Sequence, residues 1–268
     1  MKAFTGNTLR YSRQIILEEF GVEAQMKLKN ARVLVIGSGG LGSPILLYLA
    51  AAGVGTLGIA DFDTVALSNL NRQVIHFTED VGSKKIDSAE RKIKQLNPEV
   101  KVEKFKGRID VENIEDLVAR YDLVVDATDN FPSRYLISDC CFLLGKPLVE
   151  GAAVGYAGIL MTIIPGQTPC YRCLYPEPPL DGEIETCSDA GILGAVTGVI
   201  GSLQALEAIK VITEIGEIVG GRVLYFDALT TEFTELKLNR SEECALCGKR
   251  PTIDELHEYV IHCKTKEV

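Results

Sequence analysis

The chain's 268 residues carry a formal net charge of −9, are 46% hydrophobic and have a mean hydropathy of +0.13. A chain of this kind builds one large or two small domains around a sizeable core, and its acidic balance excludes a general nucleic-acid-binding surface. Met1 to Asn7 is polar and lacks the charged-then-apolar pattern of a secretory leader. A cytoplasmic location is therefore expected, and the eight cysteines point to metal or thiol chemistry over disulfides.

Leu9 to Phe20 places apolar residues near helical spacing, with Arg10 and Arg13 one turn apart, and Gln25 to Lys29 reads as a second short helix. Val33 to Ile36 is an apolar, mostly β-branched run that enters the cluster Gly37-Ser38-Gly39-Gly40-Leu41-Gly42, and a helix follows from Ser43 to Ala52. Gly37, Gly39 and Gly42 fit the G-x-G-x-x-G spacing. Bare backbone lets N–H groups approach a phosphate, and the helix N-terminus adds partial positive charge there. A dinucleotide and a mononucleotide satisfy such a loop equally well.

Thr56 to Ala60 is a second strand ending at Asp61-Phe62-Asp63. A polar loop with Ser68-Asn69-Leu70-Asn71-Arg72-Gln73 leads to a helix from about Lys84 to Leu96, stopped by Asn97-Pro98. Val100 to Phe105 reads as a strand, Ile114 to Arg120 as a helix, and Leu123 to Ala127 as a buried strand ending at Thr128-Asp129-Asn130. This βαβαβαβ order predicts an α/β fold, a Rossmann-like doubly wound sheet with ligands at the carboxyl ends of the strands. Gly37, Asp61 and Asp129 fall at those ends. Tyr135 to Leu144 is an apolar helix that holds Cys140 and Cys141 as core residues.

Beyond Pro147 the pattern changes. Short strands at Leu148 to Glu150, Gly158 to Ile164 and across Val223 to Leu238 lack long helices between them, apart from Ala190 to Ile212, so antiparallel strands should continue the parallel half. Pro165 to Thr186 should be a loop-rich lobe. The uncharged run Ala190 to Leu206 falls short of the roughly 20 apolar residues of a membrane span and reads as a buried core or subunit-interface helix, so no membrane association is expected.

Asp61 stands where an acidic residue holds a ribose hydroxyl in dinucleotide enzymes, which keeps an NAD(P)-dependent dehydrogenase open. Asn69, Arg72, Lys85 and Asp129 should converge near the same strand ends. Two cations and a further carboxylate suit a triphosphate under attack better than a buried pyrophosphate bridge, because the cations offset developing charge and the carboxylate holds Mg²⁺. Lys84 and Lys85 are not separable on sequence. Cys170-Tyr171-Arg172-Cys173 and Cys244-Ala245-Leu246-Cys247 have the spacing of a four-thiolate structural zinc site, against a reading as two dithiols. Cys187, just before the glycine-punctuated helix, reads either as a nucleophile or as an inert thiol. His76, His257 and His262 show no ligand spacing.

Arg10-Tyr11-Ser12-Arg13-Gln14-Ile15, the glycine loop, Asp61-Phe62-Asp63, Ser68 to Gln73, Asp126 to Asn130 and both cysteine pairs together resemble the ThiF/MoeB/HesA family, relatives of the ubiquitin-activating enzymes. The resemblance runs from about Leu9 to Gly248. It implies an adenylyltransferase domain over 1–248, with a nucleotide-binding half to about 147, a carrier-binding and zinc half over 148–248, and a tail over 249–268. The implied reaction is ATP- and Mg²⁺-dependent adenylation of the C-terminal Gly-Gly carboxylate of a ubiquitin-like sulfur-carrier protein, serving thiamin, molybdopterin, cysteine or tRNA thiolation chemistry. Carried over by motif, Gly40 lies in the ATP loop, Asp61 and Asp63 near the ribose, and Ser68, Asn69, Arg72 and Lys85 near the nucleotide and its phosphates. Asp129 organises Mg²⁺, and Asn130 lies beside the base or ribose. Arg13 matches an arginine that reaches into the partner's site of a homodimer, and Cys187 a thiol that joins the carrier in some members. No rhodanese-like stretch follows, so sulfur is expected from a separate desulfurase or rhodanese. A non-catalytic, zinc-stapled binder of ubiquitin-like proteins is the other alternative.

Overall fold

The structure, a computed structural model, describes residues 8–179 and 191–259. One eight-stranded sheet, ordered β3-β2-β1-β4-β5-β6-β7-β8, runs through both halves of the chain. Strands β1 (Arg32–Ile36), β2 (Thr56–Ala60), β3 (Lys101–Phe105), β4 (Leu123–Asp126) and β5 (Leu148–Val154) are parallel neighbours. Strands β6 (Ala157–Ile163), β7 (Arg222–Asp227) and β8 (Glu232–Lys237) extend the sheet antiparallel from β5, as the loss of intervening helices predicts.

Strand alternation divides the interior into two cores. Val33 and Val35 of β1 and Leu123 and Val125 of β4 face one, beside Ile45, Leu46 and Leu49 of α3 (Gly42–Ala52), Ile86 and Ile93 of α4 (Lys85–Leu96) and Ile200 of the long helix over Gly194–Thr213. Leu34, Ile36 and Val124 face the other, beside Ile114 and Leu117 of α5 (Ile114–Ala119), Tyr135 and Ile137 of α6 (Phe131–Leu143), and the cysteine lobe with its short helix α7 (Tyr171–Leu174). The long helix over Gly194–Thr213 is α8 here.

Three expectations change. The first helix, α1 (Thr8–Ile15), stops five residues before Phe20, and α2 (Gly21–Asn30) starts four residues before Gln25, at a glycine with φ +59°. Exposed Ile16 and Leu17 made the apolar pattern run on past the helix end. Strand β5 continues to Val154, past Glu150. Helix α8 reaches Thr213 and is, by length and composition, long and apolar enough to cross a membrane, contrary to the expected shortfall. It lies against the sheet, with Val196, Ile200, Gln204, Ala205 and Ala208 buried.

Segments 249–259 are tied down too. Thr252 and Ile253 donate their N–H groups to the Ala245 carbonyl, and Ile253, Leu256 and Tyr259 pack on the second core.

Candidate active site

The carboxyl ends of β1, β2 and β4 open into one cleft whose wall includes Gly37, Gly39, Gly40, Asp61, Asp63, Arg72, Lys85, Asp129 and Asn130. Chain segments from Gly37 to Asn130 thus meet at one place, as the strand order requires.

The glycine loop is built by close approach. Gly37 adopts φ +96°, and a Cβ there would lie 2.6 Å from the Ala127 carbonyl oxygen. The Gly39, Gly40 and Leu41 N–H groups, in residues at the cleft wall, find no acceptor among the described residues. Such donors at a helix start suit an anion. Behind the loop, buried His76 directs Nε2 at the Ser38 carbonyl, 3.0 Å away, and Nδ1 at Ser88 Oγ, 2.9 Å away. A carbonyl only accepts, so Nε2 carries the proton, and burial lowers the imidazole's pKa and keeps it neutral.

Asp61 braces the same loop. Its Oδ2 accepts from the Ser38 N–H at 2.8 Å and the Ser38 hydroxyl at 2.7 Å, and its Oδ1 accepts from the Asp63 N–H at 2.8 Å. Buried Lys85 donates Nζ to Asp63 Oδ2 at 2.7 Å, whereas exposed Lys84 turns to the Phe62 carbonyl at 3.0 Å. The structure separates the two lysines that the sequence left equivalent. Arg72 Nη1 donates to the Ser68 carbonyl and to Asn71 Oδ1, each at 3.0 Å, and neither of these neutral partners offsets the guanidinium's charge at the cleft. Asn130 accepts the Ser133 N–H at 3.0 Å and so caps α6, which fixes the Asp129-Asn130 corner.

Four expected site residues are not among those lining the cleft of the single chain. Gly42 is a packing glycine, since its Cβ would fall 2.1 Å from the Gly37 oxygen. Ser68 contributes its carbonyl to Arg72 and is itself exposed. The Asn69 carboxamide accepts the Ala66 N–H at 3.0 Å and shapes the turn that carries Arg72. Arg13 is exposed on α1, because Tyr11 is that helix's inward residue, packed on Gly53 and bonded to Asn97 at 2.8 Å. Cys187 lies outside the described residues.

The reading of the sequence missed other residues at the cleft. Arg108, Gln73 and Thr197 line it, and Arg134 reaches it from α6. A charged Glu150 within the apolar Leu148-Val149 strand was the available signal for Arg134's partner.

Away from the cleft, Cys170, Cys173, Cys244 and Cys247 bring all four sulfurs within 4.8 Å of one another, with Cys170–Cys244 at 3.5 Å and Cys173–Cys247 at 3.4 Å. Tetrahedral Zn–S bonds of about 2.3 Å place sulfurs roughly 3.8 Å apart, so the donor set fits zinc. The Cys173 and Cys244 sulfurs also accept backbone N–H groups, each at 3.4 Å. Burial pushes the Cys170 thiol up, and its thiol neighbours add to this; a bound cation is what lets four adjacent thiolates coexist.

Comparison with known proteins places this arrangement. The ThiF family model matches residues 11–246. A Thermus thermophilus protein named sulfur carrier protein adenylyltransferase is 47% identical over 259 residues, covering 95% of this chain and 96% of the relative. A maize protein named adenylyltransferase and sulfurtransferase MOCS3-1 is 51% identical over 92% of this chain, which spans only 53% of that longer relative. Among solved structures, Escherichia coli MccB superposes with a TM-score of 0.81 at 26% identity, over 96% of this chain and 75% of MccB. The chain belongs to the ThiF family.

Proposed function

We propose that this chain adenylates the C-terminal carboxylate of a ubiquitin-like sulfur-carrier protein with ATP. The observation that carries the reading is the meeting of the glycine loop, Arg72, Lys85 and Asp129 in one cleft, in a chain that matches nearly the whole of a relative named for this activity. The carrier carboxylate attacks the α-phosphorus, the bond to the bridging oxygen breaks, and pyrophosphate leaves with its electron pair. The carboxylate is already a nucleophile, so the protein's part is positioning and charge stabilisation. Loop N–H groups receive phosphate oxygens, while Arg72 and Lys85 offset the charge that gathers on pyrophosphate. Asp129, at the cleft wall, would hold Mg²⁺, which would supply shielding of the phosphates.

The half over 148–248 is proposed to receive the carrier, supported by the exposed Leu229 and Phe233 of the β7–β8 hairpin. The four cysteines are proposed to bind zinc structurally, since four thiolates leave no position open to substrate. A homodimer is proposed through the apolar hollow formed by Pro44, Leu47 and Tyr48 of α3 with Val199 and Leu203 of α8, with Arg13 reaching the partner's cleft. Against a dehydrogenase stand Arg72 and Lys85, two cations at the cleft that a pyrophosphate bridge held on the glycine loop does not need.

Mass spectrometry of a Gly-Gly carrier after incubation with the protein, ATP and Mg²⁺ tests the reading. A carrier heavier by one AMP moiety is the expected product. An unchanged carrier alongside tight NAD binding would replace the proposal with the dehydrogenase.

A further inference from the structure

Directly under the Thr128-Asp129 corner lies a buried polar group that the proposed reaction does not use. Asp126 and Glu150 are both fully buried and stand opposite each other on β4 and β5. One oxygen of each is occupied: Asp126 Oδ1 accepts the Thr128 N–H at 2.8 Å, and Glu150 Oε1 accepts from Arg134 Nη1 at 2.9 Å. The second oxygens, Asp126 Oδ2 and Glu150 Oε2, are buried and receive no donor among the described residues. As register partners on adjacent parallel strands, the two side chains rise from the same face of the sheet. Arg134 also donates Nη2 to the Thr128 carbonyl at 2.7 Å, so the same guanidinium spans from the acid pair to the corner that carries Asp129.

Two buried carboxylates facing one another, with one guanidinium between them and the surface, cannot both stay ionised without a large desolvation cost. The other groups nearby do not relieve it. Tyr171 on α7, Tyr175 beyond it and Cys141 on α6 are all held neutral by burial, and Gln204 on α8 donates to the Asp126 main-chain carbonyl at 2.6 Å. A proton between the second oxygens converts two orphan acceptors into a donor and an acceptor and leaves one negative charge for one guanidinium.

We propose that Asp126 and Glu150 share a single proton, and that this singly charged pair, acting through Arg134, is the positioning device for the Thr128-Asp129 corner of the nucleotide cleft. In keeping with this, burial and the adjacent Asp126 raise the Glu150 carboxyl well above its ordinary range. The proposal rests on the adenylation reading for its functional readout and on chemistry of its own for the shared proton.

The test compares Glu150→Gln, Asp126→Asn, the double variant and Glu150→Ala in the full chain. An amide at either position mimics the protonated partner and leaves one carboxylate for Arg134. Each single amide variant should therefore keep KM for ATP within about threefold of the parent, while the double variant, which has no anion left, loses about a hundredfold in kcat/KM. Glu150→Ala, which removes the acceptor that Arg134 Nη1 uses, should lose more than Glu150→Gln. Infrared spectra near neutral pH should show a buried carboxylic-acid carbonyl band in the parent that disappears in both single variants. A parent without that band, or a single amide variant as damaged as the double, overturns the proposal. The infrared band and the two single variants decide the matter even if the double variant fails to fold. A parent that forms no carrier adenylate sinks the adenylation reading instead, and leaves the band to judge the shared proton.

Discussion

At Gly42 an added methyl group would sit 2.1 Å from the Gly37 oxygen, whereas at Gly82, with φ +88°, it would meet nothing within 4 Å. Gly42→Ala must push the helix off the strand turn and is expected to cost about 3 kcal/mol. Gly82→Ala pays only for its left-handed backbone, about 1 kcal/mol. Chemical denaturation of the two variants measures the difference, and equal costs would remove the close-packing account of the glycine loop. Arg72 belongs to the same scale. With no carboxylate on its guanidinium, Arg72→Ala should weaken ATP turnover by about a hundredfold while leaving the melting temperature nearly unchanged, as steady-state kinetics beside calorimetry would record. Gly37, Asp61, Arg72, Lys85 and Asp129 were legible because each sits in a short motif at a strand end. The local bonds that Ser68 and Asn69 make were not legible, because they depend on turn geometry. Asp126 and Glu150 are distant in sequence, and only the register of β4 with β5 pairs them beneath the site, where Arg134 of α6 meets Glu150.

The loop and helix that present Lys85 hang on a buried acid. Burial by itself would raise the Asp80 carboxyl, but the Phe77 N–H at 2.8 Å, Arg91 at 2.6 Å and Lys92 at 3.3 Å outweigh it and hold the pKa down at about 2, against 3.8 when unfolded. The unfolded chain therefore binds the proton first. The stabilisation, about 2 kcal/mol, is fully present above 3.8 and is lost as pH falls from there towards 2. Asp80→Asn should flatten the acid limb of the stability curve in that window, and a limb as steep as the parent's would contradict the assignment. In the cysteine lobe, chelation should open Cys170, Cys173, Cys244 and Cys247 to alkylation while Cys140 and Cys141 stay protected in the core, a contrast that mass mapping reads directly. Strand and helix positions were legible from periodicity wherever burial is one-sided or complete. The end of α1 was not, because exposed Ile16 and Leu17 mimic a core stripe.

Across the whole molecule, one continuous sheet joins the half that holds the glycine loop to the half that carries the cysteine lobe. Arg172, within the first cysteine pair, forms two hydrogen bonds of 2.9 Å with buried Asp139 of α6, whose other end is capped beside Asp129. The lobe thus buttresses the helix that frames the cleft. On the opposite face, Tyr48 is 58% exposed in an apolar hollow between α3 and α8. On the proposed homodimer, Tyr48→Glu should leave the fold intact, shift sedimentation from dimer to monomer and lower activity; a parent that sediments as a monomer removes the dimer proposal. The central claim is that the assembled cations and Asp129 allow a triphosphate to be cleaved, not only held, at the bare-backbone turn. ATP–pyrophosphate exchange with a Gly-Gly carrier, run on the parent and on Asp129→Ala, tests it most directly. Carrier-dependent exchange that falls by a hundredfold or more in Asp129→Ala is the predicted result. No exchange with any Gly-Gly carrier, or exchange indifferent to Asp129, would contradict it.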